Sequence, residues 1–378
     1  LNVLITTDSQ LREFADRASR SEVLAVDTEF MREKVYHPRL CLVQLGTDDE
    51  QVAVDPFAIT DTAPLVRLFS NPFITKVFHA CAQDMEVLLQ YVGMLPRPLF
   101  DTQIAASYLG DRSQIGYAAL VEERCGVVLA KTESLTDWSR RPLDAAQLSY
   151  ALDDVRYLPA IWRAMRDELA ERGRSSWVAD EFEAASDPAA YVHNPTDAWK
   201  RVKRVNALSR RQLAVARELA AWREERASAI DRPRRWVLSD ELVVEVAKRM
   251  PQNAEALRRI RGAADLSPAD QRSVVEAVGR GRACPEGDLP VCERYARPSA
   301  DEECACDLMY ALARLVAARE GLAVSMLASR DDLMAHLHDP GSSPLSSGWR
   351  HEVLGSQLDE LLAGRAGLTI KEGRVELL

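Results

Sequence analysis

Over its first 160 residues the chain alternates short apolar runs with stretches whose apolar positions recur every three to four residues. The runs "VLAVDTEF", "RLCLVQLGT" and "QVAVDP" are rich in Val and Leu and bounded by polar residues, which predicts three consecutive strands. "ITKVFHA" predicts a fourth. Before them, Thr7-x-x-Gln10 has the form of a capping box, and Leu11, Phe14, Ala15 and Ala18 follow at helical spacing. Further helices are predicted from Gln83 to Tyr91, over 101–109 and 117–125, and from Leu143 through Met165. This order gives an α/β domain with a mixed sheet flanked by helices.

The pattern changes after about residue 170. Val-rich runs nearly vanish, and Ala, Arg, Leu and Glu dominate. "ASDPAAYVHNPTDAW" (185–199) reads as a linker. Ser209-x-x-Gln212 is a second capping box, opening a helix with Leu213, Ala216 and Leu219 on its buried face. In "LSPADQRSVVEAVGRG", Ser267 predicts an N-cap, Pro268 the first helical residue and Gly279 the stop. A Pro-rich break at 282–299 precedes a last helical stretch. The expected organisation is an α/β domain over 1–170, a helical, Pro-containing linker over 171–206, and two all-α bundles over 207–286 and 298–378.

Composition adds class rather than detail. A hydrophobic content of 47% with 28% charged residues is that of a soluble globular protein. No run reaches the ~18 consecutive apolar residues of a membrane helix. The start, "LNVLITTDSQ", lacks the basic and apolar regions of a signal peptide. Seven scattered cysteines predict a reducing compartment, the cytoplasm. The net charge of −10 argues against a polyanionic partner, but between Trp199 and Trp236 twelve Lys and Arg face four Asp and Glu. Distribution therefore outweighs the total.

Asp27 and Glu29 close the first apolar run, and i and i+2 on a strand share a face. Two carboxylates so placed repel unless one keeps its proton or a cation intervenes. The plain alternative is a strand end emerging into solvent. Asp84, in "VFHACAQDMEVLL", falls in the first turn of a predicted helix, where the dipole favours an anion. Tyr150 and Asp154, in "SYALDDVRYL", are four apart on one helical face. Four converging carboxylates make an oxygen-only site, suited to Mg²⁺ or Mn²⁺ rather than zinc. Two such ions about 3.5–4 Å apart are the recurring arrangement for in-line displacement at phosphorus. Tyr150, with a phenol pKa near 10, is too weak a base to act alone, but suits holding a water.

Asp27-x-Glu29, Asp84 in "HACAQD", and Tyr150-x-x-x-Asp154 resemble the DEDDy group of 3′–5′ exonucleases, of the ribonuclease D type. "VDTEFMREKVYHPRLCLVQL", "LFDTQIAASYLG", "ESLTDWSRRPL" and "YALDDVRYLPAIW" are similar too, so that the likeness covers nearly all of residues 20–165. The resemblance implies a ribonuclease H-like fold, two bound Mg²⁺ or Mn²⁺ ions, and hydrolysis from an RNA 3′ end releasing nucleoside 5′-monophosphates. It implies that Asp27, Glu29, Asp84 and Asp154 ligate metal and that Tyr150 orients the nucleophilic water. It also implies trimming of precursor tRNA and other small structured RNAs by a monomer. The C-terminal region resembles HRDC domains, helical bundles that help grip nucleic acid: the first over 207–286, the second chiefly through "SGWRHEVLGSQLDELL". A DNA-directed exonuclease of the same superfamily and a non-catalytic RNA-binding module are the alternatives.

Around the acids, Thr28, Phe30 and Met31 are candidates for substrate contact, the last two as a stacking wedge against the terminal base. His79 is placed either against the scissile phosphate or as a cap on the strand end, and Arg140 and Arg141 against RNA backbone. Arg234 and Arg235, with Lys200, Arg201, Lys203, Arg204, Arg210 and Arg211, form the basic stretch expected to meet phosphates. Cys304-x-Cys306, with Cys284 and Cys292, lacks paired zinc-ligand spacing and reads as buried free thiols. Trp222, Trp236 and Trp349 read as bundle core.

Overall fold

The computed structural model describes residues 3–110, 114–129, 136–192, 194–291 and 298–378. Its N-terminal part runs β1 (Leu4–Ile5), α1 (Asp8–Ala18), β2 (Val23–Met31), β3 (Arg39–Gly46), β4 (Gln51–Val54), α2 (Ala63–Ser70), β5 (Thr75–Phe78), α3 (Ala82–Val92) and β6 (Leu99–Asp101). The helices α4 (Thr102–Leu109), α5 (Tyr117–Cys125), α6 (Ala145–Arg156), α7 (Leu158–Glu171) and α8 (Ser175–Ala185) follow. The strands form one six-stranded sheet in the order β1-β4-β3-β2-β5-β6. β1/β4, β2/β5 and β5/β6 pair parallel and β3/β4 antiparallel, so the sheet is mixed as expected. Val23 through Val26 are all buried, which is why β2 reads as an unbroken apolar run: it is an inner strand covered on both faces.

Several elements depart from the pattern reading. β1 and β6, with two and three residues, are too short to leave a periodic signal. α2 was not anticipated, although it buries Leu65, Leu68 and Phe69. The single helix expected over 143–165 is two, α6 and α7, broken at Tyr157 with Pro159 in the first turn of α7. The linker expected over 171–206 contains α8 and the 3₁₀ turns Pro188–Ala190 and Pro195–Arg201, and it buries Trp199.

The central helical region holds α9 (Arg210–Ala229), α10 (Arg234–Val237), α11 (Asp240–Arg249), α12 (Ala254–Arg258) and α13 (Pro268–Ala283). Ser209 and Gln212 complete a reciprocal capping box on α9. Gly279 does not stop α13, which runs on to Ala283; beyond it Gly281 lies against α9, where a Cβ would fall 2.4 Å from Val215 Cα. The last part holds α14 (Ala300–Glu320), α15 (Val324–Leu327), α16 (Arg330–His338), α17 (Gly348–Arg350), α18 (Ser356–Leu362) and an antiparallel hairpin, β7 (Leu368–Lys371) and β8 (Arg374–Leu377). The hairpin corrects the all-helical expectation for this region.

Two compact units result: 1–29, 40–188 and 297–378 form one, and 30–39 with 189–296 the other. In the first, a continuous core joins Val23, Ala25 and Val77 of the sheet to Trp162 and Met165 of α7, and to Met309, Leu312, Leu333, Trp349 and Leu358 of the C-terminal segment. Trp349 stacks on Trp177 of α8, ring centroids 4.9 Å apart. The second unit closes on Trp199, Leu213, Leu219, Val243, Leu257 and Val274. Its fully buried Arg223 is held by Asp240 at 2.7 Å and by the Leu238 carbonyl at 3.1 Å. Trp222 is partly buried against that core, but Trp236 is 61% exposed, contrary to its expected core role. Cys284 and Cys306 are buried free thiols and Cys304 is exposed, while Cys292 lies outside the described residues. Among the described residues no helix is long and apolar enough to cross a membrane.

Candidate active site

β2 and α6 bring the central acids together. Asp27, Glu29 and Asp154 each offer a carboxylate oxygen, and these three oxygens all lie within 4.8 Å of one another. α6 is fixed by a capping box: Asp144 accepts from the Gln147 amide at 2.8 Å, and the Gln147 side chain accepts from the Asp144 amide at 2.9 Å. It sits close on the sheet because β3 ends in Gly46, where a Cβ would fall 3.0 Å from the Val155 carbonyl oxygen. That approach sets Tyr150 and Asp154, one turn apart, over the acidic end of β2.

Asp84 comes from the first turn of α3 and is buried. It stands outside the tight trio, yet its charge acts on Glu29 and that of Asp27 acts on it. The Thr28 hydroxyl, itself buried, donates to Asp84 Oδ1. Thr28 thus holds an acid, a role different from the substrate contact expected of it. The turn delivering Asp84 depends on Asp101, a residue that sequence reasoning missed. Its carboxylate accepts from the amides of Ala80 (3.1 Å) and Cys81 (2.8 Å), and caps α4 through Gln103 (2.8 Å) and Ile104 (3.2 Å). Ala80 has φ +61°, a left-handed conformation unfavourable for alanine, so the turn needs such a brace. The available signal was the N-cap position of Asp101 in "LFDTQ".

Gln44 was also missed. It is a fully buried amide in the apolar run of β3. Its Nε2 approaches Asp27 Oδ2 at 3.4 Å, and its Oε1 is buried without a partner. A lone glutamine in "RLCLVQLG" was the visible cue, since a buried polar group needs a reason. Tyr117 lies nearby; its hydroxyl donates to the Asp153 carbonyl at 2.8 Å.

Electrostatics define what this pocket wants. Burial first, then the charge of Asp154, pushes the Asp27 carboxyl up to about 8. Burial and the charges of Asp27, Asp154 and Asp84 push Glu29 up to about 9. Burial, with Asp153, raises Asp154 to about 7, and burial with Asp27 raises Asp84 well above the carboxylate range. The acids therefore share protons near neutrality until a cation replaces them. An oxygen-only donor set of this kind fits hard divalent metal ions. Tyr150, raised above the ordinary phenol range by burial and then by Asp154, keeps its proton at neutral pH.

The other predicted residues are dispersed. His79 has both ring nitrogens engaged, Nδ1 with Thr102 Oγ1 at 2.9 Å and Nε2 with the Ile115 carbonyl at 3.0 Å, and burial lowers its pKa. Arg141 uses all five of its N–H donors inside the fold, on both Asp55 oxygens and on the Cys41, Trp138 and Arg140 carbonyls. It has none left for RNA backbone and acts as an anchor; Arg140 is exposed. Phe30 and Met31 are half-buried and belong to the second unit. So do Arg234, paired with buried Glu224 at 3.2 Å, and exposed Arg235. Arg210 and Arg211 bind carbonyls at Leu289 and Cys284, whereas Lys200, Arg201, Lys203 and Arg204 are exposed.

A half-buried acidic trio on a mixed sheet, with a tyrosine one helical turn before the last acid, defines a metal-dependent nuclease of the 3′–5′ exonuclease class. Residues 2–170 match the family model described as 3′–5′ exonuclease, and residues 212–265 match the HRDC domain. The chain is 40% identical to ribonuclease D of Acidiphilium cryptum over all of its own length and 97% of that protein. It is 38% identical to ribonuclease D of Gluconacetobacter diazotrophicus, covering 99% of this chain and 96% of that one. The crystal structure of Escherichia coli RNase D, an exoribonuclease involved in structured RNA processing, superposes with a TM-score of 0.84 at 32% identity, covering 96% of this chain and 98% of that one. The chain belongs to the ribonuclease D family. It is a 3′–5′ exoribonuclease, a hydrolase acting on RNA, of a family that uses divalent metal ions, and it carries a candidate acidic cluster for them.

Proposed function

We propose that this exoribonuclease uses two Mg²⁺ or Mn²⁺ ions held by Asp27, Glu29, Asp84 and Asp154, and that it trims the 3′ ends of precursor tRNA and other small structured RNAs. The observation that carries the reading is the convergence of three carboxylate oxygens within 4.8 Å, supplied by two separate elements. When bound, the ions supply Lewis-acid activation of water and neutralise charge on the departing oxygen.

The protein's own residues do the rest. Asp27, Glu29 and Asp154 offer an anionic cradle whose raised pKa values are relieved by cation binding. Thr28 orients Asp84, and Gln44 restrains Asp27. Tyr150, still protonated, holds the attacking water by a hydrogen bond and aligns it with the terminal phosphodiester. Water adds to phosphorus and the P–O3′ bond to the penultimate nucleotide breaks; that 3′ oxygen leaves and takes up a proton, and the terminal residue departs as a nucleoside 5′-monophosphate. Phe30 and Met31 follow Glu29 along β2 and offer apolar contact to the terminal base. The bundle over 207–286 grips RNA through its exposed basic residues, with the segment 298–378 as a second HRDC-like element. The protein works as a monomer in the cytoplasm.

The test is incubation of a 3′-extended tRNA with the protein, with and without a chelator, resolving products at single-nucleotide steps. Stepwise shortening that the chelator abolishes is expected. A ladder that persists in chelator contradicts the metal assignment, and equal degradation of matched DNA contradicts the RNA assignment. Asp27→Asn is expected to bind RNA without shortening it.

A further inference from the structure

We propose that Trp236 is a stacking platform for an unpaired base of the RNA substrate, with Arg232 and Arg235 taking the adjoining phosphates. The proposal rests on the exoribonuclease reading and adds a binding site in the second unit. A tryptophan that is 61% exposed leaves the largest apolar side chain in water, where the bundle core does not use it. Yet its setting is built. Pro233 fixes the entry to α10; the Trp236 amide donates to the Pro233 carbonyl at 2.8 Å and the Leu238 amide to the Arg234 carbonyl at 3.0 Å. Leu238 is then buried, pinning the far end.

Beneath this tip lies a polar brace. Glu224, 3% exposed, accepts from the Tyr36 hydroxyl at 2.9 Å and from Arg234 at 3.2 Å. Asp231 Oδ1 accepts from the amides of Tyr36 (3.0 Å) and His37 (2.9 Å), and His37 Nε2 lies 3.0 Å from Ser228 Oγ. The segment 30–39 and the end of α9 thus hold the tip in one conformation, so little ordering entropy remains to be lost on binding.

Charge selects the ligand. Residues 231–236 read "DRPRRW", three arginines against one aspartate already engaged by two amides. The Arg232 guanidinium stands 6.0 Å from the Trp236 ring centroid. Arg235 is exposed, and its nearest acid, Asp240, is 3.9 Å away with its other oxygen held by Arg223. An exposed aromatic face beside Arg232 and an exposed, only distantly paired Arg235 is the arrangement that binds single-stranded nucleic acid without reading its sequence.

The experiment measures anisotropy of a fluorescein-labelled single-stranded oligoribonucleotide against the full chain carrying Asp27→Asn, across a salt series. Trp236→Ala is expected to raise Kd roughly 5- to 150-fold at every salt concentration, the fold-change matching ~1–3 kcal/mol of base stacking. The slope of log K against log salt should stay unchanged. Trp236→Phe should recover most of the affinity, and Arg235→Glu should flatten the slope by about one. Kd within twofold of the parent for Trp236→Ala, or Trp236→Phe as weak as Trp236→Ala, overturns the proposal. Self-association of the parent that Trp236→Ala abolishes, with RNA affinity unmoved, assigns the ring to a second copy and overturns it too. Hydrolysis of a dinucleotide by the unsubstituted protein judges the exonuclease reading separately.

Discussion

The burial of Asp27, Glu29 and Asp154 sets how the site responds to pH. Their carboxyls rise from 3.8 or 4.5 when solvated to about 8, 9 and 7 in the fold. The folded, metal-free protein therefore holds more protons than the unfolded chain between about pH 4 and pH 9, and it loses stability as pH rises through that window. Thermal melts in chelator from pH 6 to 9 should show a falling midpoint, and Mn²⁺ should restore it with the larger gain at higher pH; a midpoint rising with pH would contradict the raised acids. Tyr150→Phe deletes only the hydroxyl. It should lower kcat about 10- to 100-fold, the scale of a lost positioning contact, with KM little changed, measured by single-nucleotide release. Of the residues expected at this site, Asp27, Glu29 and Asp154 bring their carboxylate oxygens together, because their motif spacing transmits which strand face and helix turn they occupy. Gln44, Asp101 and Tyr117 were not legible, since their importance lies in partners distant in sequence. Arg141 misled for the same reason: a sequence shows a charge, but not the Asp55 that occupies it.

Among the elements, α6 and the sheet depend on how closely they meet at Gly46 of β3. Gly46→Ala places a Cβ against backbone at Val155, and neither side can yield like a flexible side chain. The expected result is a loss of about 1–3 kcal/mol by denaturant unfolding, with reduced activity as Tyr150 and Asp154 shift outward. Unchanged stability and rate would show that α6 does not need this glycine. Long, apolar or well-capped elements were readable in advance; α3, α4 and α5 match their expected spans within one residue at each end. β1 and β6 were not, because two- or three-residue strands exist only by pairing with a neighbour. The break at Tyr157 was signalled by Pro159 but hidden by apolar positions that continue through it.

For the whole molecule, the C-terminal segment belongs to the core of the catalytic unit. Met309, Leu312, Leu333, Trp349 and Leu358 lie in one cluster with residues of the sheet. Each such side chain contributes about 1.5–3 kcal/mol on burial, so together they match the ~5–15 kcal/mol total stability of a typical domain. A chain ending at residue 297 should lose its cooperative melt and bind a hydrophobic dye, and a truncated protein that melts like the parent would contradict this. Sequence reading placed a separate bundle here, because composition reports helices and not the surface they cover. The account as a whole rests on acids from β2, α3 and α6 serving as one cation site. Anomalous diffraction from Mn²⁺-soaked crystals tests that most directly. The account predicts strong peaks bounded by Asp27, Glu29 and Asp154, lost in Asp27→Asn; density without a peak there, or carboxylates turned away from one another, would contradict it.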